Sequence, residues 1–156
     1  MFFTRFSVVA PGAADNLSGA LLTVALAEHF SLPENRLADT EIVALVTGSE
    51  EAGLCGAAAF AARHKAGWGD VETVALALDT FNDMEWLRVY HRDMNGLVRH
   101  DPAFCRFLQE TGRTLGLDLA LGVVTVGSSD ATAFTRAGVP SAMLAAMDPH
   151  PAHYYH

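Results

Sequence analysis

Two short acidic segments hold most of the side chains in this sequence that could do chemistry. The first reads Pro11-Gly12-Ala13-Ala14-Asp15-Asn16-Leu17-Ser18-Gly19, and the second Thr47-Gly48-Ser49-Glu50-Glu51-Ala52-Gly53-Leu54-Cys55-Gly56. Asp79 follows the apolar run 73–78, Asp130 sits in Gly127-Ser128-Ser129-Asp130, and the sequence closes on Tyr155-His156. Carboxylates and imidazoles are the donors that borderline cations such as zinc accept. A cation so held polarises carbonyl groups and acidifies water, so these residue types point to metal-assisted hydrolysis.

Each acid also has a structural reading. Asp15 or Asn16 suits a helix cap. Glu50 and Glu51 suit a helix N-terminus, where the dipole favours negative charge. Asp79 suits a turn at a strand end, Asp130 a cap on the helix after it, and His156 a terminal side chain. The conjunction argues against coincidence. These acids follow successive apolar runs, and the ends of parallel strands lie on one edge of a sheet. Carboxylates gathered there repel one another unless protons or cations intervene.

The elements that must position them read as follows. Residues 6–10 form a short apolar strand ending at Pro11-Gly12, and apolar residues at helical spacing mark a helix over 17–30. The β-branched run 40–46 reads as a buried strand, 53–65 as an alanine-rich helix, and 73–78 as a strand ending at Asp79. A strand over 87–91 follows. Asp101-Pro102 then opens a helix to about residue 115, with a cap and a proline at its first position. A strand over 119–126, a short helix over 131–136 and a strand over 141–146 complete the series. This alternation predicts an α/β fold: a three-layer αβα sandwich around a mostly parallel mixed sheet, forming one domain over 1–156. Phe104, Phe107 and Leu108 are spaced as a core face, Cys55 reads as a small buried residue, and Tyr90-His91-Arg92-Asp93 reads as a surface strand.

The bulk composition narrows the partners. The chain has 156 residues, of which 51% are hydrophobic and 18% charged, enough for one sizeable core. A net charge of -8 argues against nucleic acid or an anionic membrane as a partner. Two cysteines, Cys55 and Cys105, fit a reducing, cytoplasmic compartment. No stretch is long and apolar enough to span a membrane, and residues 1–5 lack the layout of a signal peptide.

The two acidic segments resemble motifs of the di-zinc aminopeptidases, metallopeptidase family twenty-eight. The first is similar to the family's metal-bridging aspartate motif and the second to its Glu-Glu motif. Ala77-Leu78-Asp79, the stretch from Ser129-Asp130 to Gly138-Val139-Pro140, and Tyr155-His156 follow the family's later signatures in order. The resemblance implies that Asp15 bridges two zinc ions, that Glu51 and His156 complete one site, and that Asp79 serves the other. It implies that Glu50 is the general base, taking a proton from metal-bound water and passing it to the leaving amine. It implies a cis peptide between Asp15 and Asn16, and a place for Asp130 near the substrate, a peptide or small amide. A glutaminyl cyclase, an N-deacylase, or a non-catalytic relative that has lost a ligand would share these features.

The sequence departs from the family pattern in three places. The family carries a further zinc-binding histidine upstream, and none of the fourteen residues before Asp15 is a histidine. The family also continues beyond Tyr-His, so both ends read as cut. The histidine that usually follows the substrate-side aspartate is Ala131 here. The expected consequence is one site without its nitrogen ligand, with His150 and His153 as nearby substitutes for His156. A sheet edge left uncovered would favour a homo-oligomer.

Overall fold

The computed structural model describes residues 12–95 and 97–148. The expected strand over 6–10 and the histidines 150, 153 and 156 lie outside that range. Helices α1 (Ser18–Ser31), α2 (Cys55–His64), α3 (Pro102–Thr114) and α4 (Asp130–Ala137) alternate with strands β1 (Ala75–Phe81), β2 (Leu87–Asp93), β3 (Val98–Arg99), β4 (Ala120–Val124) and β5 (Ser141–Ala146).

The strands form one mixed sheet. Strand β5 lies between β1, to which it runs parallel, and β2, to which it runs antiparallel. Strand β2 also pairs with β4 in parallel and with the two-residue β3 antiparallel. Alternation along the strands divides the core between the two faces. On one face Val89, Ala142 and Leu144 pack with Cys105, Phe104 and Leu108 of α3. On the other, Tyr90, Met143 and Ala145 pack against Ala131 of α4. Helix α2 covers α4 from outside through Leu54, Ala57 and Ala133. The predicted helix–sheet–helix layering follows from this division.

Local sequence explains how the helices are held. Asp101 accepts a hydrogen bond from the Phe104 amide at 2.7 Å, with Pro102 in the first turn of α3. Helix α4 ends on Gly138 in the left-handed conformation (φ 84°), and the Val139 amide returns to the Phe134 carbonyl at 3.0 Å. The aromatic side chains Phe60, His64, Trp68 and Phe134 stack along the outer face of α2 and α4.

Several expectations are corrected. The run 40–46 joins no ladder among the described residues, and Ile42, Val43 and Val46 are 46%, 61% and 59% exposed. A β-prone sequence becomes a strand only where a neighbour takes up its backbone groups. Strand β1 does not stop at Asp79 but bulges there and continues to Phe81, because Thr80 adopts a left-handed conformation (φ 49°). Cys55 is exposed at the first position of α2, while Cys105 is the buried thiol. Phe107 is exposed and stacks on Phe104 rather than entering the core. Tyr90 and Asp93 are buried, so β2 is an interior strand with β4 and β5 on its two sides.

Candidate active site

The Asp15 segment is a tight turn leading into α1. Gly12 adopts a left-handed conformation (φ 56°), and the Leu17 amide closes the turn onto the Gly12 carbonyl at 2.9 Å. The Asp15–Asn16 peptide is cis, as the resemblance implies. Asn16 ties this turn to β1. Its Nδ2 donates to the Leu78 carbonyl at 2.9 Å, and its Oδ1 accepts from the Gly19 amide at 2.9 Å and the Thr80 amide at 3.2 Å. Ser18 adds a second tie, donating to the Ala14 carbonyl at 2.8 Å and accepting from the Phe81 amide at 3.0 Å. Helix and strand approach so closely that a Cβ at Gly19 would lie 2.4 Å from the Leu78 carbonyl oxygen. The motif's small residues therefore bring Asp15 beside Asp79.

The Glu50-Glu51 segment is a loop folded back on the start of α2. The Gly56 amide donates to the Gly48 carbonyl and the Cys55 amide to the Ser49 carbonyl, each at 3.1 Å. The Glu50 carbonyl accepts from the Gly53 and Leu54 amides at 3.0 and 2.7 Å. Gly56 is required by contact: a Cβ there would lie 2.3 Å from the Gly48 oxygen. Thr47, at the mouth of the loop, donates its hydroxyl proton to Asp130 Oδ2 at 2.5 Å. That bond joins the Glu50 loop to the first residue of α4.

The structure thus gathers Asp15, Glu50, Glu51, Asp79 and Asp130 around one end of β1. Burial and this crowding register in the proton affinities of Glu50 and Asp79. Burial, then the charges of Asp79, Asp130, Glu51 and Asp15, pushes Glu50 up to about 8. Burial and the Asp15 charge push Asp79 up to about 6, against a hydrogen bond from the Thr80 hydroxyl at 2.9 Å. Burial also raises Asp130, with the Thr47 hydroxyl working in the other direction. Glu51 is exposed, and Glu50, Asp15, Asp79 and Asp130 are half-buried.

This donor set fits a cation in its chemistry: oxygen ligands, crowded and partly desolvated, whose repulsion a divalent ion would relieve. The described carboxylates do not suffice alone. Among the described residues no three histidine, cysteine, aspartate or glutamate side chains converge closely enough to hold a metal ion. The expected imidazole ligand, His156, lies outside those residues.

Sequence reasoning missed residues that hold the site together. Asn16 was readable only as a helix cap, yet it also binds two backbone groups of β1. Thr47 had no local signal, because its partner lies 83 residues away. Asp93 and His100, apart in sequence, come together in the interior beside α4 at 0% and 3% exposure.

The acids thus lie at one edge of a mixed α/β sheet, where β1, the Glu50 loop and α4 meet. The sequence model of peptidase family M28 matches residues 4–156, and the chain belongs to that family. Among solved structures, it is similar to LapA from Legionella, with a TM-score of 0.65 at 16% identity over 94% of this chain and 40% of that one. It is similar to PhTET1-12s, a dodecamer of the Pyrococcus horikoshii TET1 peptidase, with a TM-score of 0.55 at 24% identity over 79% of this chain and 38% of that one. It is also similar to BSAP, a zinc aminopeptidase from Bacillus subtilis, with a TM-score of 0.54 at 23% identity over 71% of this chain and 28% of that one. The chain therefore spans well under half the length of these structures. No curated protein matches it. No helix among the described residues is long and apolar enough to cross a membrane.

Proposed function

We propose that the acidic cluster is the active site of a zinc-dependent aminopeptidase that removes N-terminal residues from peptides. The observation that carries this reading is the gathering of Asp15, Glu50, Glu51, Asp79 and Asp130 around one end of β1, with Glu50 partly desolvated among them. Glu50 takes a proton from the attacking water and passes it to the departing amine. Asp15, Glu51, Asp79 and His156 would hold the metal. When bound, zinc supplies a Lewis acid and acidifies water. Asp130 accepts a hydrogen bond from Thr47, and the family resemblance assigns it to the substrate side, where a carboxylate would attract a free α-amino group.

The test is hydrolysis of aminoacyl anilides by the zinc-supplemented chain. Activity should appear and should fall roughly a hundred- to ten-thousand-fold in Glu50→Gln. Turnover of N-acyl or glutaminyl substrates instead would assign a deacylase or a cyclase. No turnover of any of them would remove the peptidase reading. A non-catalytic relative is favoured by one observation, that no three ligands converge among the described residues; a chain that binds no zinc would support it. Exposed apolar side chains at Ile42, Val43, Val46 and Leu76 support self-association, which sedimentation would detect. An exposed Cys55 thiol suits a cytoplasmic setting.

A further inference from the structure

The buried group that the proposed chemistry does not use is Asp93, fully enclosed at the end of β2. Its Oδ2 accepts three hydrogen bonds from the start of α4: from the Ser129 amide at 2.7 Å, the Ser129 hydroxyl at 2.9 Å and the Thr132 hydroxyl at 2.7 Å. Its Oδ1 faces His100 Nε2 at 3.5 Å, and neither of these two atoms has a hydrogen-bond partner among the described residues. On the other side of the ring, His100 Nδ1 lies 2.9 Å from the Thr135 hydroxyl, which lies 2.5 Å from the Ser141 hydroxyl. Ser141 in turn donates to the Ala131 carbonyl at 2.9 Å.

The protons along this chain of bonds can be assigned by elimination. A carbonyl only accepts, so the Ser141 proton goes to Ala131. Ser141 therefore accepts from Thr135, whose single proton is then spent. Thr135 must accept from His100, so Nδ1 carries a proton. If Nε2 were bare, its lone pair would face a carboxylate oxygen at 3.5 Å, both of them buried. A second proton on Nε2 removes that conflict and supplies the buried carboxylate with a counter-charge.

We propose that Asp93 and His100 form a buried carboxylate–imidazolium pair that positions Asp130 in the acidic site. The pair grips Ser129 and Thr132, on either side of Asp130 in the first turn of α4. Asp130 in turn fixes the Glu50 loop through Thr47. Asp93 touches no reacting atom in this scheme; it is a positioning residue. The proton affinity of Asp93 agrees with the pairing. Burial pushes it up, but the close approach of His100 and the hydrogen bonds from the Ser129 amide and Thr132 outweigh burial and hold it below the usual carboxylate range.

This inference rests on the peptidase reading for its effect on catalysis, but the ion pair itself can be tested without activity. The measurement is the ¹⁵N–¹H spectrum of the His100 ring at neutral pH, in the wild-type protein and in Asp93→Asn. Both ring nitrogens should carry protons in the wild type. In Asp93→Asn, which keeps the acceptor oxygen for α4 but loses the charge, the ring should become neutral. A neutral ring in the wild type would overturn the proposal. In anilide hydrolysis, Asp93→Asn should lower kcat about tenfold or more, as loss of a supporting hydrogen bond does in metal-dependent sites, with KM little changed. His100→Gln, which keeps a donor toward Asp93 without the charge, should lower kcat less than Asp93→Asn does. An unchanged kcat in Asp93→Asn would overturn the positioning role. If the wild type has no activity, the peptidase reading fails instead. The positioning role is then read from amide exchange at 47–51, which should quicken in Asp93→Asn; unchanged exchange would overturn it.

Discussion

Glu50→Gln removes one charge from the acidic cluster and keeps nearly the same shape, so it isolates the cost of crowding carboxylates. Glu50 rises from an ordinary value of 4.5 to about 8 in the fold. At about 1.4 kcal/mol per pKa unit this rise would be worth about 5 kcal/mol in a sealed interior. Glu50 is only half-buried, and solvent screening brings the expected effect down to about 1–2 kcal/mol. The sign follows from linkage. A carboxyl with a raised proton affinity contributes its full stability below pH 4.5 and loses it as the pH climbs through about 8. Gln stays neutral throughout. In urea melts with a metal chelator present, Glu50→Gln should match the wild type near pH 5 and exceed it near pH 8.5. A variant less stable than the wild type at both pH values would refute the reasoning, because the carboxylate would then be held by favourable partners.

Four further outcomes follow from the same geometry. Asn16→Ala removes three part-buried hydrogen bonds to Leu78, Gly19 and Thr80; at about 1 kcal/mol each it should lower unfolding free energy by about 2–3 kcal/mol in urea. Gly56→Ala places a Cβ 2.3 Å from the Gly48 oxygen and should cost about 1–3 kcal/mol by the same assay. Met143→Ala, at 1% exposure in the sheet core, should cost about 2–5 kcal/mol, seen as a fall in Tm. Asp79, pushed up to about 6, should make the chelated protein lose stability as the pH rises from about 4 to 6, and added zinc should reverse that loss in a thermal melt.

The sequence was most legible where chemistry and local geometry coincide. Asp101-Pro102 marked the start of α3 because a capping carboxylate and a proline each satisfy a local constraint. The strands β1 and β5 were visible as apolar runs and β2 through its weak alternation, and the acids were visible because their motifs hold them at element ends. Run 40–46 misled for the converse reason: its β-branched residues state a preference, while strand formation depends on a neighbour. The bulge at Thr80 was hidden because the side chain that accepts the Thr80 amide, Asn16, lies 64 positions away in sequence. Asp93 was hidden for the same reason. Its polar neighbours suggested a surface strand, and only the fold shows that its partners Ser129, Thr132 and His100 enclose it.

Metal content tests the central claim most directly. The purified chain and its Glu51→Ala variant would be loaded with zinc, dialysed and measured by elemental analysis. The expected result is about one tightly held zinc per wild-type chain and its loss in the variant. A wild type that retains no zinc, or a variant that retains as much as the wild type, would contradict the assignment of Asp15, Glu51 and His156 as the ligands of a metal centre.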